Sequence, residues 1–592
     1  DESLLTGESV PVGKRVWNHQ ERPSTPGGDD LPFVYSGTLV VSGRGIAQVF
    51  ATGERTELGK IGKSLKNITE EETRLSKETG RLVKYFAIFA LLICAFVVIV
   101  FYITRKHLIN AMLTGITLAM SVLPEEFPVV LTVFMALGAW RMSRKNVLVR
   151  RLQAIESLGS ATVLCTDKTG TITYNKMTLQ RIVSNNENIA LNSVATLSEP
   201  IRKTLIYSVL GSMREPFDPM EKAIHNALID SDSSSYTELQ KYQEIKEYPL
   251  TDELRAMAKV WKIPGNPNNT IALKGSPEAV LKLCKINAEE IKAIMNQVSD
   301  LAEEGLRVLA IASCEVTKDA LPEKLTDLSF HYSGLIGLAD PIRETVPEAV
   351  KICYKAGIRI IMITGDYIGT AKAIGKQIGL KNVDNVISGS ELDQISDKEL
   401  AERCKQVSIF ARVVPHQKLR IVQALKTNGE IVAMTGDGVN DAPALKAANI
   451  GISMGLRGTD VAREASAIVL TDDDFSSIVS AVKMGRRIYD NLRKSFTYVF
   501  SLHIPIAGMA MIPAAFADYP IIYFPVHIAF LELIIDPACS IVFEMEKEEE
   551  NIMERPPRSA EESLFGTKRL IIGALQGLGV LLLLVIMYFW GI

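Results

Sequence analysis

The chain has no CxxC pair, and its seven cysteines, Cys94, Cys165, Cys284, Cys314, Cys353, Cys404 and Cys539, are scattered along 592 residues. That argues against a disulfide framework or a cysteine-built zinc module and reads the thiols as reduced packing groups. Net charge is also missing: Lys+Arg 65 against Asp+Glu 68 leaves −3. Without a global basic field, no nucleic-acid partner is expected. No fixed-period repeat recurs, so repeat architectures are set aside. At ~100 to 200 residues per domain, the length predicts about three to five domains.

What the chain does have is apolar sequence gathered into runs. Tyr85 to Thr104 carries no charge, and at ~1.5 Å per residue it is long enough to cross a ~30 Å hydrocarbon core. Further spans are expected at Leu108 to Trp140, Ser495 to Phe516, Tyr523 to Phe543 and Leu570 to the end. The second holds Glu125 and Glu126 between Pro124 and Pro128. Basic residues follow the second span (Arg141, Arg144, Lys145, Arg150, Arg151) and precede the third (Arg486, Arg487, Arg493, Lys494). The positive-inside rule therefore puts the intervening roughly 350 residues in the cytoplasm. The acidic run Glu544 to Glu550 reads as a solvated cytoplasmic loop. An odd number of spans, a start at Asp1 and an apolar end at Ile592 lead us to expect a piece of a longer protein.

The strand-like run Ala161 to Thr166 delivers Asp167 at its end, followed by Lys168, Thr169, Gly170 and Thr171. A carboxylate at the carboxyl end of a parallel strand sits where open α/β sheets place their ligands. A lone Asp there more often caps a helix, but the pentapeptide resembles the phosphorylation motif of the P-type ATPases, ion pumps that pass through an aspartyl-phosphate. The resemblance continues in family order. It takes in Thr6-Gly7-Glu8-Ser9, Pro124-Glu125-Glu126-Phe127-Pro128 and Lys274-Gly275-Ser276-Pro277, then Asp340-Pro341, Thr364-Gly365-Asp366 and Thr435 to Asp441.

The resemblance implies Asp167 as nucleophile toward ATP. It implies Mg²⁺ held by Asp167, the Thr169 carbonyl and Asp437, with Asp441 supporting the metal. Lys418 would supply fixed positive charge, Thr364 and Asn440 would orient the phosphate, and Gly365 and Asp366 would belong to the ATP-binding set. Related phosphatases of the same fold carry an acid/base Asp two residues after the nucleophile. Here that position is Thr169, so the phosphoenzyme should persist until Glu8 positions the attacking water. In the insert, Glu221, Arg255, Lys274 and Arg307 fall where the family contacts ATP. The adenine-stacking aromatic of the family is replaced by Leu250, with Tyr248 close by.

Proline inside a span frees carbonyls that must line a polar site, so Pro124 and Pro128 predict a broken helix. Intramembrane acids are functional by default, and Glu532 and Asp536, spaced i, i+4, are partners for Glu125. Carboxylate and carbonyl ligands suit Ca²⁺, Mn²⁺ or Mg²⁺ and argue against Cu⁺ or Zn²⁺. Similarity to calcium pumps makes Glu125, Glu532, Asp536 and the carbonyls of Met120, Ser121 and Leu123 the site of the transported cation. Met553 to Arg558 also resembles that branch. His503 and Ile506 replace the Asn and Glu of two-site pumps, implying one cation per cycle. His503 reads equally as a packing residue or as a relay for counter-transported protons.

Ca²⁺ transport is the leading expectation, with Mn²⁺, Mg²⁺ or another cation, a lipid flippase and a membrane-tethered phosphatase as the alternatives. The expected fold is a multidomain membrane protein. It joins an α-helical transmembrane bundle to a cytoplasmic HAD-like, Rossmann-like α/β phosphorylation domain, an α+β nucleotide-binding domain and a partial β-rich actuator domain. Expected boundaries are 1–62 for the actuator part, 63–145 for a linker and two membrane helices, 146–174 and 331–478 for the phosphorylation domain, 175–330 for the nucleotide domain and 479–592 for three membrane helices. A prokaryotic plasma membrane is the expected host.

Overall fold

The computed structural model describes residues 1–2, 5, 11–24, 26–27, 30–67, 74–123, 126–185, 187–191, 197–216, 218–250, 254–317, 321–515, 520–559, 562 and 566–591. Two sheets and a set of long helices organise them. The first sheet has eight strands in the order Val147–Val149, Ile468–Leu470, Ile450–Met454, Val432–Gly436, Val163–Asp167, Arg359–Ile363, Ile409–Ala411, Val386–Ser388. Every pairing is parallel except the antiparallel edge strand Val147–Val149.

The central strands are apolar on both faces because helices cover both. Leu164, Ile360 and Met362 point into one buried cluster, and Val163, Cys165, Ile361 and Ile363 into the other. The two-residue period of a strand thus sorts each run into two cores. All seven cysteines are unpaired, and burial pushes the Cys353 and Cys404 thiols up to about 12, so they serve as packing groups.

The second sheet is antiparallel, with seven strands in the order Glu187–Ala190, Thr178–Ser184, His331–Ala339, Arg307–Thr317, Asn268–Gly275, Ala256–Lys262, Gln243–Tyr248. It is inserted into the first at a double crossover. Thr173 and Ile342 form an antiparallel bridge, and the amide of Tyr174 donates to the Pro341 carbonyl at 3.1 Å. Asp340 ties both crossings: its carboxylate accepts from the Thr173 hydroxyl and from the Lys176 amide at 2.9 Å.

Among the described residues, five helices are long and apolar enough to cross a membrane: Lys77–Thr104, Leu108–Ser143, Phe475–Ile512, Pro525–Met545 and Thr567–Gly591. The second is discontinuous, as its prolines predict, with helices Leu108–Val122 and Glu126–Ser143 and an extended Leu123 between them. A second irregularity follows Pro537, where the helix Pro525–Pro537 passes into a wide turn over Ala538–Val542. Pro537 signals it in the sequence, because its ring removes a backbone donor.

The helix Phe475–Ala515 has 41 residues, about 60 Å at the usual rise. Phe475, Ile478, Ala481 and Val482 lie in the same core as Leu164 of the parallel sheet, and the helix then continues into the membrane region. It crosses Gln153–Gly159 backbone to backbone. A Cβ on Gly159 would stand 2.7 Å from the Gly485 carbonyl carbon, and one on Gly485 would stand 2.7 Å from the Ile155 oxygen.

The acidic run that reads as solvated is docked on this helix and its neighbour. Glu544 is buried against Arg141 at 2.6 Å, Glu546 meets Lys494 at 2.7 Å and Glu548 meets Lys483 at 3.0 Å. The cause is complementarity: the basic residues that orient the spans also form a row on one helix, and the acids pair along it. The following loop is held by the buried Arg486, which donates to the carbonyls of Ile552, Arg555 and Ala356 at 2.8 to 2.9 Å.

Among the described residues of 1–62 there is one isolated bridge, Lys14 with Leu31, and no strand, although strands are expected there. The segment around Val40, Ile46 and Val49 is apolar and exposed. An extended segment becomes a strand only when another backbone satisfies its amides and carbonyls in succession, and among the described residues Asp1 alone does so, at Leu39.

An alanine in an exposed helix ordinarily stabilises relative to glycine. At the Gly159–Gly485 crossing the sign should reverse, because backbone cannot yield as a flexible side chain can. Gly485→Ala is expected to cost about 1 to 3 kcal/mol, read as a lower thermal unfolding midpoint of the detergent-solubilised protein. An unchanged or higher midpoint would show that the two helices do not touch.

Candidate functional site

Asp167 ends the central strand of the parallel sheet, where the neighbouring strands Arg359–Ile363 and Val432–Gly436 also stop. Its Oδ1 accepts from the Lys168 amide at 2.7 Å, and its own amide donates to the Thr435 hydroxyl at 3.3 Å. The chain turns away through Gly170 at φ +74, where a Cβ would approach Asp437 Oδ2 to 2.7 Å. Glycine is therefore required there twice over, for the left-handed backbone and for the space.

Carboxylates of Asp167, Asp437 and Asp441 offer oxygens that all lie within 4.8 Å of one another. Lys418 Nζ is 2.7 Å from Asp167 Oδ2 and 2.7 Å from Asp441 Oδ1. It stands in the first turn of helix Pro415–Thr427, whose start is fixed by the buried Gln417, accepting from the Val414 amide and donating to the Gly389 carbonyl. Asp441 Oδ2 accepts the amides of Asp437 and Gly438 at 3.2 and 3.1 Å.

Burial works against the Lys418 ammonium, but Asp167 and Asp441 outweigh it and hold it above the ordinary lysine range. Burial pushes the Asp437 carboxyl up to about 7, reinforced by Asp441 and Asp167 and opposed by Lys418. Burial also raises Asp441, against the pull of Lys418. Three carboxylates around one ammonium leave an excess of negative charge that a hard divalent cation would neutralise. The buried Asn440 amide has no hydrogen-bond partner among the described residues. The donor set and this unsatisfied amide fit Mg²⁺ with a phosphate beside it.

Thr364 follows the strand Arg359–Ile363, in register with the nucleophile strand through Ile363 and Asp167. Its hydroxyl accepts the Asp366 amide at 3.1 Å, and Asp366 pairs with Lys168 at 2.9 Å. Thr364, Gly365 and Asp366 thus border the same strand ends. The position two residues after Asp167 is Thr169, so no carboxylate stands there.

In the antiparallel sheet, Lys274 and Glu221 meet at 2.6 Å, both buried, and the Lys274 ammonium also donates to Ser212 at 2.8 Å. Burial lowers Lys274, while Glu221 pulls the other way. Ser212 has no sequence signal of its own and is found only by folding. Arg255, just before the strand Ala256–Lys262, and Arg307, at the start of Arg307–Thr317, are exposed, and among the described residues no ion pair joins either to the Lys274–Glu221 pair. Tyr248 is buried, its hydroxyl donating to the Pro322 carbonyl at 2.6 Å, so its ring is not free to stack on a base. Leu250 is 62 % exposed.

Glu8 and Glu125 lie outside the described residues, as does the side chain of Asp536. Met120, Ser121 and Leu123 stand at the end of helix Leu108–Val122, against which Pro525–Pro537, carrying a buried Glu532, packs. A pairing that the sequence reading missed is here. Glu126 is buried, and its Oε2 is 3.4 Å from His503 Nε2, while His503 Nδ1 is 2.9 Å from the Val499 carbonyl. The doubled acid was the available signal, since consecutive helical residues point about 100° apart and cannot serve one site together.

Family models match three stretches: the P-type ATPase actuator domain over residues 1–66, haloacid dehalogenase-like hydrolase over 161–449, and the cation transporting ATPase C-terminus over 520–592. Among similar proteins, a calcium-transporting ATPase of Bacillus subtilis is 35% identical over 99% of this chain and 70% of its own length. One of Bacillus cereus is 36% identical over 95% of this chain and 66% of its own length. One of Saccharomyces cerevisiae is 33% identical over 95% and 64%. The chain therefore spans about two thirds of the length of these relatives. With an aspartate at the end of the central strand, a lysine and two further carboxylates around it, and this identity across nearly the whole chain, the protein belongs to the P-type cation-transporting ATPases.

Proposed function

We propose that the protein couples ATP hydrolysis, through an aspartyl-phosphate at Asp167, to the movement of Ca²⁺ across a membrane. The observation that carries the reading is the cluster of Asp167, Lys418, Asp437 and Asp441 at the carboxyl end of the parallel sheet. Asp167 attacks the γ-phosphorus, the bond to the ADP oxygen breaks, and Lys418 and Asn440 hold the transferred group. Thr364, Gly365 and Asp366 border it. Mg²⁺, held by Asp167, Asp437, the Thr169 carbonyl and with support from Asp441, would neutralise charge on the phosphoryl oxygens. Thr169 offers no carboxylate for rapid hydrolysis, so the phosphoenzyme lasts until Glu8 is brought to it. That delay separates the two chemical steps and gives the membrane helices time to rearrange.

We assign 146–174 and 331–478 to the phosphorylation domain, 175–330 to the nucleotide domain with Glu221, Arg255, Lys274 and Arg307 toward ATP, and 1–62 to part of the actuator. The membrane parts are 63–145 and 479–592, in a prokaryotic plasma membrane. Glu125, Glu532, Asp536 and the carbonyls of Met120, Ser121 and Leu123 form the cation site beside the helix break. With His503 tied to Val499 and Glu126, and Ile506 in place of a further acid, one cation moves per cycle. Support comes from the freed carbonyls at that break, hard ligands that suit Ca²⁺, and from the relatives named as calcium-transporting.

The test is phosphoenzyme formation from labelled ATP in membranes while Ca²⁺ is titrated. Acid-stable, hydroxylamine-sensitive label should appear with Ca²⁺ and vanish in Asp167→Asn. Glu532→Gln should raise the Ca²⁺ needed for half-maximal labelling by ~10-fold, about 1.4 kcal/mol. Label persisting in Asp167→Asn would remove the nucleophile, and labelling indifferent to Ca²⁺ would transfer the reading to another cation.

Mg²⁺ binding should depend on pH through Asp437. Its folded pKa of about 7 lies above its ordinary value, so in the metal-free protein it contributes destabilisation that grows as pH rises from ~4 to ~7. Mg²⁺ needs the ionised carboxylate and relieves that repulsion. The rise in unfolding temperature caused by Mg²⁺ should therefore be larger at pH 8 than at pH 6; equal rises would exclude Asp437 as a ligand.

Leu250→Phe would restore an aromatic where the ring of Tyr248 is unavailable. A stacked ring adds about 0.5 to 1.5 kcal/mol, so ATP binding by calorimetry should tighten ~2- to ~10-fold. Weaker binding would place the base elsewhere.

A further inference from the structure

The Lys274–Glu221 pair rests on a second layer of side chains that the proposed chemistry does not use. Helix Pro219–Ser231 carries Glu221 and, one turn on, His225. Residues four apart on a helix share a face, with Cβ atoms about 6 Å apart. Glu221, His225 and Lys274 are all buried inside the insert, whose two ends both lie within the chain. Ile224 and Leu228 fill the core beside them. A titratable ring in this place therefore needs a reason beyond packing, because burying a polar group is costly.

The two ring nitrogens of His225 differ. Nδ1 is 3.2 Å from the Tyr236 hydroxyl, whereas Nε2 is buried without a hydrogen bond of ordinary geometry. Glu221 is divided between two donors: its Oε1 accepts from the Lys274 ammonium at 2.6 Å and its Oε2 from the Met213 amide at 3.1 Å. The second bond comes from a neutral donor, so a cation placed beside the carboxylate would compete for it.

Burial holds the His225 imidazole below the usual histidine range, opposed by Glu221 and the Met213 backbone and assisted by Lys274. The site is thus arranged around a neutral ring, and as pH falls through its lowered pKa a positive charge arrives between Glu221 and Lys274. Tyr236, Glu221 and Lys274 are the titratable groups that face it. Elsewhere on the packed elements, Arg202 pairs with Asp232 and Arg181 with Glu304, Lys203 lies over the Tyr207 ring, and Glu199 and Glu238 are exposed.

We infer that His225 is a positioning residue of the nucleotide site: neutral, it leaves Glu221 on Lys274, and protonated, it draws Glu221 from the lysine and weakens ATP binding. The inference rests on the reading of Lys274 and Glu221 as ATP contacts. It makes acidity a brake on nucleotide loading, applied in the insert and not at the Mg²⁺ carboxylates.

The test is calorimetric titration of the purified protein with ATP, without Mg²⁺, at neutral and at acid pH. Protonation of ATP and of Asp437 is common to every variant and cancels in the comparison. Between pH ~7.5 and ~5, the Kd of the parent should rise at least ~5-fold more than that of His225→Asn or His225→Gln, since one linked proton is worth up to tenfold per pH unit. Both variants keep a polar group and cannot take the proton. An acid response of the parent's size in either variant, whatever its affinity at neutral pH, would overturn the inference. A second readout needs no variant. With histidine rings isotopically labelled, ATP should move the titration of one buried ring to lower pH, by the reciprocity of linked binding; no ring moving would also overturn it. Lys274→Ala separates the two readings. If ATP binding is intact in that variant, the nucleotide-site reading fails and this inference with it. If binding weakens there while the His225 variants keep the parent's pH profile, the inference about His225 alone fails.

Discussion

The attraction between one buried ammonium and two carboxylates organises the catalytic end of this molecule. Lys418 reaches Asp167 and Asp441 at 2.7 Å each, linking a helix start, a strand end and a tight turn that are far apart in the chain. A lysine buried without partners would lose its proton. Here the two acids keep it charged, and its charge in turn holds Asp167 and Asp441 together. Asp437 is the part that this pairing leaves unbalanced: burial, with Asp441 and Asp167 beside it, pushes its carboxyl up to about 7.

The rest of the architecture turns that local chemistry toward the membrane. The parallel sheet carries the cluster at the ends of its central strands, and the helix Phe475–Ala515 leaves the sheet's core and runs on into the membrane region. Two adjacent contacts near its start keep the connection stiff: Gly485 lies against Gly159, and Arg486 donates to the carbonyls of Ile552, Arg555 and Ala356. The acidic stretch Glu544 to Glu550 belongs to the same connection: Glu544 is buried on Arg141, and the solvent-facing Glu546 and the half-buried Glu548 pair with Lys494 and Lys483. Movement of the phosphorylation site would therefore be felt by the helix that holds His503.

In the membrane region, two helices are interrupted. Helix Leu108–Val122 ends at an extended Leu123, and Pro537 precedes a widened turn on the facing helix. Such an interruption breaks the ladder of backbone hydrogen bonds and leaves carbonyls that need partners. Glu126 and His503 bridge the first break to the third span. The proposed cation site is therefore bordered by a polar contact within the protein.

Sequence alone determined the features that depend on local order. The apolar runs marked five spans, because a bilayer demands uninterrupted length. The Asp-Lys-Thr-Gly-Thr run and its companions marked the family and the nucleophile, because that chemistry needs those residue types in fixed succession. The break after Val122 was legible for the same local reason. Tertiary structure alone decided which charges meet. That Ser212 joins Lys274, that Tyr248 faces the core, that the acidic loop is docked, and that Glu126 finds His503 all depend on elements distant in sequence. The strength and partner of a charge follow from its position and burial in space, and linear spacing records neither.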